Sequence, residues 1–396
     1  MILFKKLVKS LPLQLLAAIG IALLVEPLLS GPVLSFFYTL SCLFKDLLIM
    51  VIPFVVFGYL TTSIVSFDKK SLWMVLSIFG LVILSNGLSV WIAYGLGRTL
   101  LPLFSFPPLT NLDAPQGGLQ VLWTLPWESP LTAGSALILA LILGFVAILF
   151  DIHPIRKVAR HIRDDATRVL RVAFIPLLPL YVFGFMLRLQ HDGMFGLLVQ
   201  GYGKVFALSM GATFSYILFL YGIAARFRWV PFKRMVEHML PSGITAFTTM
   251  SSAATLPVTL TCVEKSLGRR EYADFVVPLT ANNHLIGDGF NIALASLALL
   301  WMTDHPLPGI ADYGIFVVYY CIAKFSTAGV PGGAALVILP IVQTYLGLSP
   351  GLASLLTTLL VLQDPLITMV NVMGNGVFAT LTARLFHVEK LPKGHT

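Results

Sequence analysis

Ser326-Thr327-Ala328-Gly329-Val330-Pro331-Gly332-Gly333 is the stretch on which the reading of this 396-residue chain turns. It joins two apolar runs, 315–323 and 334–342, each far short of the about 20 apolar residues a helix needs to cross a bilayer. Two half-length segments joined by small and helix-breaking residues predict a re-entrant hairpin. Bare backbone at membrane depth persists only inside protein or beside a water-filled cavity. In transporters, such interruptions mark where substrate and coupling ions sit. A second interruption, Ser251-Ser252-Ala253-Ala254-Thr255-Leu256-Pro257, has the same design. Superposing the two prolines pairs Ser252 with Ser326, Ala254 with Ala328 and Leu256 with Val330.

Composition points the same way. Hydrophobic residues make up 57% of the chain, charged residues 11%, and the mean hydropathy is +0.88. Those values predict an all-α polytopic membrane protein. The formal charge of +8 would suit a nucleic-acid partner, but its placement argues against one. Lys and Arg gather at Lys5/Lys6/Lys9, Lys69/Lys70, Arg156 to Arg171, Arg226 to Arg234, Lys265 to Arg270 and Arg384 to Lys393. The connections 107–130, 303–312 and 347–351 carry neither. This alternation is the positive-inside pattern of a multi-pass protein of the cell (inner) membrane, with both termini cytoplasmic. Cys42, Cys262 and Cys321 have no disulfide or metal spacing and read as small buried hydrophobes. Lys5-Lys6 before the run 11–25 could mimic a signal peptide. The many spans that follow and the missing small-residue cleavage site favour a retained first helix.

Apolar segments at 11–30, 36–66, 72–104, 132–150, 169–190, 195–225, 275–302 and 350–386 predict eight transmembrane helices. The two interrupted hairpins lie at 235–263 and 312–345. Between the fourth and fifth spans, 151–171 is basic, with apolar residues spaced at Ile155, Val158, Ala159 and Ile162. It reads as a cytoplasmic, interfacial continuation of helices held by anionic headgroups, and as an ordinary basic loop rather than a regulatory lipid site. Residues 1–225 are long, uninterrupted spans, as a scaffold would be, whereas 231–386 contain both hairpins and nearly every polar residue at membrane depth. The stretch 387–396 reads as a cytoplasmic tail.

A charge in hydrocarbon costs about 2.5–3.5 kcal/mol on insertion scales, so each one retained there carries a hypothesis. Thr280-Ala281-Asn282-Asn283-His284-Leu285-Ile286-Gly287-Asp288-Gly289-Phe290-Asn291 predicts an unwound stretch offering carbonyls and side chains, or else a kink with satisfied polar groups. Gln363-Asp364-Pro365 and Asn371-Val372-Met373-Gly374-Asn375-Gly376 repeat that design in the last span. Pro365 would free a carbonyl there. Asp364, Thr368, Asn371 and Asn375 follow one another at spacings of 4, 3 and 4, which puts all four on one helix face. Lys324 lies about 12 residues into its run, roughly 18 Å along a helix. It is either an internal cation facing Asp288 or Asp364, or a stem that snorkels through a cavity.

These residues carry a resemblance. Ser-Ser-Ala-Ala-Thr-Leu-Pro in the first hairpin, Ser-Thr-Ala-Gly-Val-Pro-Gly in the second, Met369-Val370-Asn371-Val372 and Val51-Ile52-Pro53 resemble the dicarboxylate/amino acid:cation symporter family, the glutamate transporters. The resemblance covers nearly the whole chain and is sharp from 245 to 380. It implies a homotrimer in which a scaffold surrounds three transport domains moving as elevators. The third span would join each transport domain, and the second hairpin would be the outer gate.

The departures from the family pattern bear on function. Where the family has Asn-Met-Asp-Gly, this chain has His284-Leu285-Ile286-Gly287, so two sodium ligands become His and Ile. A last-span sodium carboxylate is here Asn375, and the Arg that pairs with acidic substrates is Ile367. The Asp that binds a substrate amino group is kept as Asp364. Lys324 stands where a small residue helps to hold sodium, and a Thr-Ser pair of the third span appears as Ser85-Asn86.

The resemblance therefore implies a substrate site of Ser251, Ser252, Asp364, Ile367, Thr368 and Asn371 with Ala328, Gly329 and Val330 of the second hairpin. It implies ion coupling through Asn283, His284, Asp288, Lys324, Asn375, Ser85 and Asn86. The expected function is symport of a small amino acid, a neutral one because no Arg serves a second carboxylate. The coupling ion is expected to be the proton, with sodium as the alternative. His284 has an ordinary pKa of about 6.5, and the sodium site is weak at best. A C4-dicarboxylate or acidic amino acid is the alternative substrate, using Lys324 or His284. An anion channel or receptor that has lost transport is the alternative class. No cofactor is implied, the partners are the bilayer and the small substrate, and no nucleophile elbow or phosphate loop points to an enzyme.

Overall fold

The computed structural model describes residues 11–65, 72–106, 119–124, 131–327 and 332–387, and the regular secondary structure among the described residues is helical. Helix α1 (Leu11–Val25) precedes α2 (Gly31–Val65), which runs 35 residues with Pro53 inside it. Next come α3 (Leu72–Leu100) and α4 (Ala133–Leu149). The basic α5 (His153–Val169) continues through a π-helical turn at Leu170–Phe174 into α6 (Ile175–His191). Helix α5 is amphipathic, as its sequence predicts. Ala159 and Ala166 are buried, and Thr167 shares a 2.7 Å hydrogen bond with Tyr59 of α2. Helices α2, α4, α5 and α6 pack on one another, with α1 against α6. The α2–α6 approach is close enough that a Cβ on Gly184 would collide with the Phe37 carbonyl oxygen.

A second group centres on α11. Helix α7 (Met194–Ala224) leads to the first hairpin, α8 (Trp229–Thr249) and α9 (Ser252–Leu267). The next span is broken into α10 (Arg270–Thr280) and α11 (Ile286–Met302). The second hairpin is α12 (Ile310–Ala323), a 3-10 turn at Lys324–Ser326 and α13 (Gly333–Leu346). The last helix is α14 (Pro350–Leu385). Helix α11 is buried along almost its whole length and packs on α3, α7 and α14. Burial of an apolar helix on all sides is what fixes the centre of this half. Trp73–Leu103, His153–His191, Val199–Ala224 and Pro350–Leu385 are long and apolar enough to cross a bilayer unaided.

Three details differ from the sequence reading. The first hairpin extends over 229–267, and its break is only Met250 and Ser251, with Pro257 inside α9. Met250 makes the turn in the left-handed region, at φ 51°, and Ser251 restarts the helix as its N-cap. The last span does not unwind, since α14 passes through Pro365 without a break. A proline removes one ladder bond, and a 36-residue helix packed on both sides keeps its course despite that loss. The break in the seventh span, by contrast, falls at 281–285 as the polar run predicts.

Candidate functional site

A narrow cavity of about 20 Å³ lies where the breaks meet. Hairpin one contributes Met250 and Ser252, the α10–α11 break contributes Asn282 and Leu285, the first turn of α11 contributes Asp288, and hairpin two contributes Thr327 and Ala334. Asp364, Thr368 and Asn371 of α14 complete the wall. Helices α9, α11 and α13 begin at this cavity, so their partly positive N-termini face it. Helices α8, α10 and α12 end around it, which adds partly negative carbonyl ends. Such an arrangement offers partial charges of both signs to one cavity.

Every carboxylate in the wall is engaged. Asp364 Oδ2 accepts from the Gly332 backbone N–H at 2.8 Å, and Oδ1 accepts from Thr368 Oγ1 at 3.0 Å. Gly332 caps α13 at φ 71°, a conformation that costs a side-chain-bearing residue about 1–2 kcal/mol. Asp288 Oδ2 accepts from Asn371 Nδ2 at 3.3 Å and faces Lys324 Nζ, also at 3.3 Å. Asn371 Oδ1 in turn accepts from the Gly287 N–H at 2.8 Å, which fixes the first turn of α11 to α14. Two groups lining the cavity, Asn282 Oδ1 and Thr327 Oγ1, have no hydrogen-bond partner among the described residues.

Lys324 is therefore internal, as one of the two sequence readings had it. Its side chain is fully buried, and the ammonium also lies 4.8 Å from the centre of the Tyr320 ring.

A second polar cluster joins the α10–α11 break to α3 and α14 and does not line the cavity. His284 Nε2 lies 2.9 Å from Ser85 Oγ, and Nδ1 lies 3.1 Å from Asn375 Oδ1. Phe378 packs 4.3 Å from the imidazole, centre to centre. Asn86 closes the helix break: its Nδ2 donates to the Asn283 carbonyl at 2.7 Å, and its Oδ1 accepts from the Leu285 N–H at 3.0 Å. Asn283 Nδ2 donates to the Leu279 carbonyl at 2.9 Å. The residues read as an ion-coupling set thus fall into two clusters. Asp288 and Lys324 adjoin the cavity, while His284, Asn375, Ser85, Asn86 and Asn283 form a separate buried network.

Of the substrate-site residues, Ser252, Asp364, Thr368 and Asn371 meet in the cavity wall. Ser251 stands one residue back, its Oγ accepting from the Ala254 N–H at 3.1 Å. Ile367 is buried beside Gly287 and is not part of the wall. Ala328, Gly329 and Val330 lie outside the described residues. The sequence reading gave no role to Met250, Asn282, Leu285, Thr327 or Ala334, all of which line the cavity. Asn282 and Thr327 stood inside the two quoted polar stretches, so position next to a helix break was the available signal.

The sequence profile of the sodium:dicarboxylate symporter family matches residues 11–385. Excitatory amino acid transporter 4 of Mus musculus is 33% identical over 152 residues, 38% of this chain and 27% of the relative. The transporter of the same description from Rattus norvegicus is 32% identical over 152 residues, with the same shares. The chain thus spans 27% of the length of these relatives.

Proposed function

We propose, from the premise that the chain belongs to the sodium:dicarboxylate symporter family, that it carries a small amino acid across the cell membrane. The observation that carries this reading is the pairing, in one cavity, of the Asp364 carboxylate with the N-termini of α9, α11 and α13. Asp364 takes the substrate ammonium. Ser252, Asn371 and the helix N-termini take its carboxylate by charge-assisted hydrogen bonds. No guanidinium stands among the described residues lining the cavity, and the Lys324 charge already faces Asp288, so a second carboxylate has no ready partner. That favours a neutral amino acid over a C4-dicarboxylate. In this reading 231–386 form the moving core with α3, while α1, α2 and α4–α6 form the scaffold of a homotrimer of eight-span subunits. The second hairpin is the outer gate. The proton is the driving ion, exchanged through the His284 network.

The test is uptake of serine and of succinate into proteoliposomes. Asp364→Asn should lower serine uptake by about 10- to 100-fold, the worth of one hydrogen bond to a charged group, with the protein still folded. Serine uptake should persist when choline replaces sodium and should rise with an inward proton gradient. Uptake unchanged by Asp364→Asn, or succinate as the better substrate, removes the amino acid reading. Strict sodium dependence without a pH response removes the proton.

A further inference from the structure

The geometry points to Lys324 as a tethered cation: its ammonium holds, permanently and covalently, the cation position on Asp288 that a free metal ion would otherwise take. The inference rests on the transport reading only for its consequence in the cycle. The site itself is argued from four observations.

Lys324 is fully buried and Asp288 is 5% exposed, so the carboxylate needs a counter-charge wherever the core sits. The Nζ–Oδ2 distance of 3.3 Å supplies one. The ammonium makes no directed hydrogen bond among the described residues, and its other neighbour is the face of Tyr320. It therefore acts as a point charge, as a bare monovalent ion would. Lys324 also follows the end of α12 and its carboxylate partner lies in the first turn of α11, so the charge sits between two helix ends at the edge of the cavity.

A consequence follows from linkage. Coupling requires an ion that binds in one compartment and leaves in the other, because ion and substrate must each change the other's affinity. An ammonium attached to the chain satisfies Asp288 in every state and is never released. No gradient of free metal ions can do work through this position, although the charge needed to balance Asp288 is always present.

The experiment is a thermal-shift titration of the purified full chain in sodium chloride against choline chloride at equal ionic strength. Wild type should show no sodium-specific shift. Lys324→Ala and Lys324→Gln should each gain a sodium-specific stabilisation that grows with concentration, as any ligand of the folded state produces. The double variant Lys324→Ala/Asp288→Asn should lose that gain. A sodium-specific shift in wild type overturns the proposal. So does a folded, monodisperse Lys324 variant with no gain, or a gain that survives Asp288→Asn. These readings need no substrate, so they stand even if the transport assignment fails. In proteoliposomes that do transport, Lys324→Ala should convert sodium-indifferent uptake into uptake stimulated about tenfold by sodium.

Discussion

In the first hairpin the break is closed by the hairpin's own atoms. Ser251 Oγ accepts from Ala254 N–H, Thr255 Oγ1 donates to the Ser251 carbonyl at 2.8 Å, and Ser242 and Thr259 join the two legs at 2.7 Å. In the second hairpin the described residues flanking the break are held from outside. Lys324 reaches Asp288 on α11, and Gly332 N–H reaches Asp364 on α14. The two share a sequence design of small residues before a proline, yet among the described residues only the second makes bonds to carboxylates that also form the cavity. Under the proposed function, a hairpin so held would sense what occupies the cavity, whereas the first would act as a fixed wall.

This contrast can be broken at three points. Asp288→Ala leaves a buried ammonium without its partner and should cost about 3–5 kcal/mol of stability, read by chemical unfolding of the purified protein. Loosening should concentrate at 324–327 in amide exchange and spare 249–255; equal loosening at both tips would erase the distinction. Gly332→Ala should cost about 1–2 kcal/mol, from the left-handed backbone alone. An added Cβ there meets nothing closer than Val361 Cγ2 at 3.5 Å, so crowding contributes little. Its exchange signature should again be confined to the second hairpin. Ser251→Ala should cost about 1 kcal/mol, the worth of an N-cap, and leave uptake within about twofold of wild type. A loss of uptake as deep as that of Asp364→Asn would place Ser251 in contact with substrate and make the first hairpin a sensor too.

What the sequence shows of this molecule depends on how local each cause is. The second hairpin is legible because 315–323, 326–333 and 334–342 contrast sharply within 30 residues. The break at 281–285 is legible for the same reason, and the spacing of Asp364, Thr368 and Asn371 does place them on one face. Pro257 and Pro365 mislead, because local propensity says break while packing keeps both inside helices. Asn86 is opaque in another way. Its partners are 197 and 199 residues away, and nothing near it in the chain announces that its amide serves backbone rather than an ion. Ile367 is placed on the right helix, yet its burial against Gly287 follows from how α11 and α14 meet.

The Asn86 clasp also sets a mechanical limit. It fastens α3 to the break before α11, while its chain neighbour α2 is knitted to α4–α6. Val65 ends α2 and Leu72 begins α3, seven residues along the chain. Fully extended, those residues reach about 23–25 Å. Under the proposed function, in which a core moves past a scaffold, that length of chain would set the limit of the stroke.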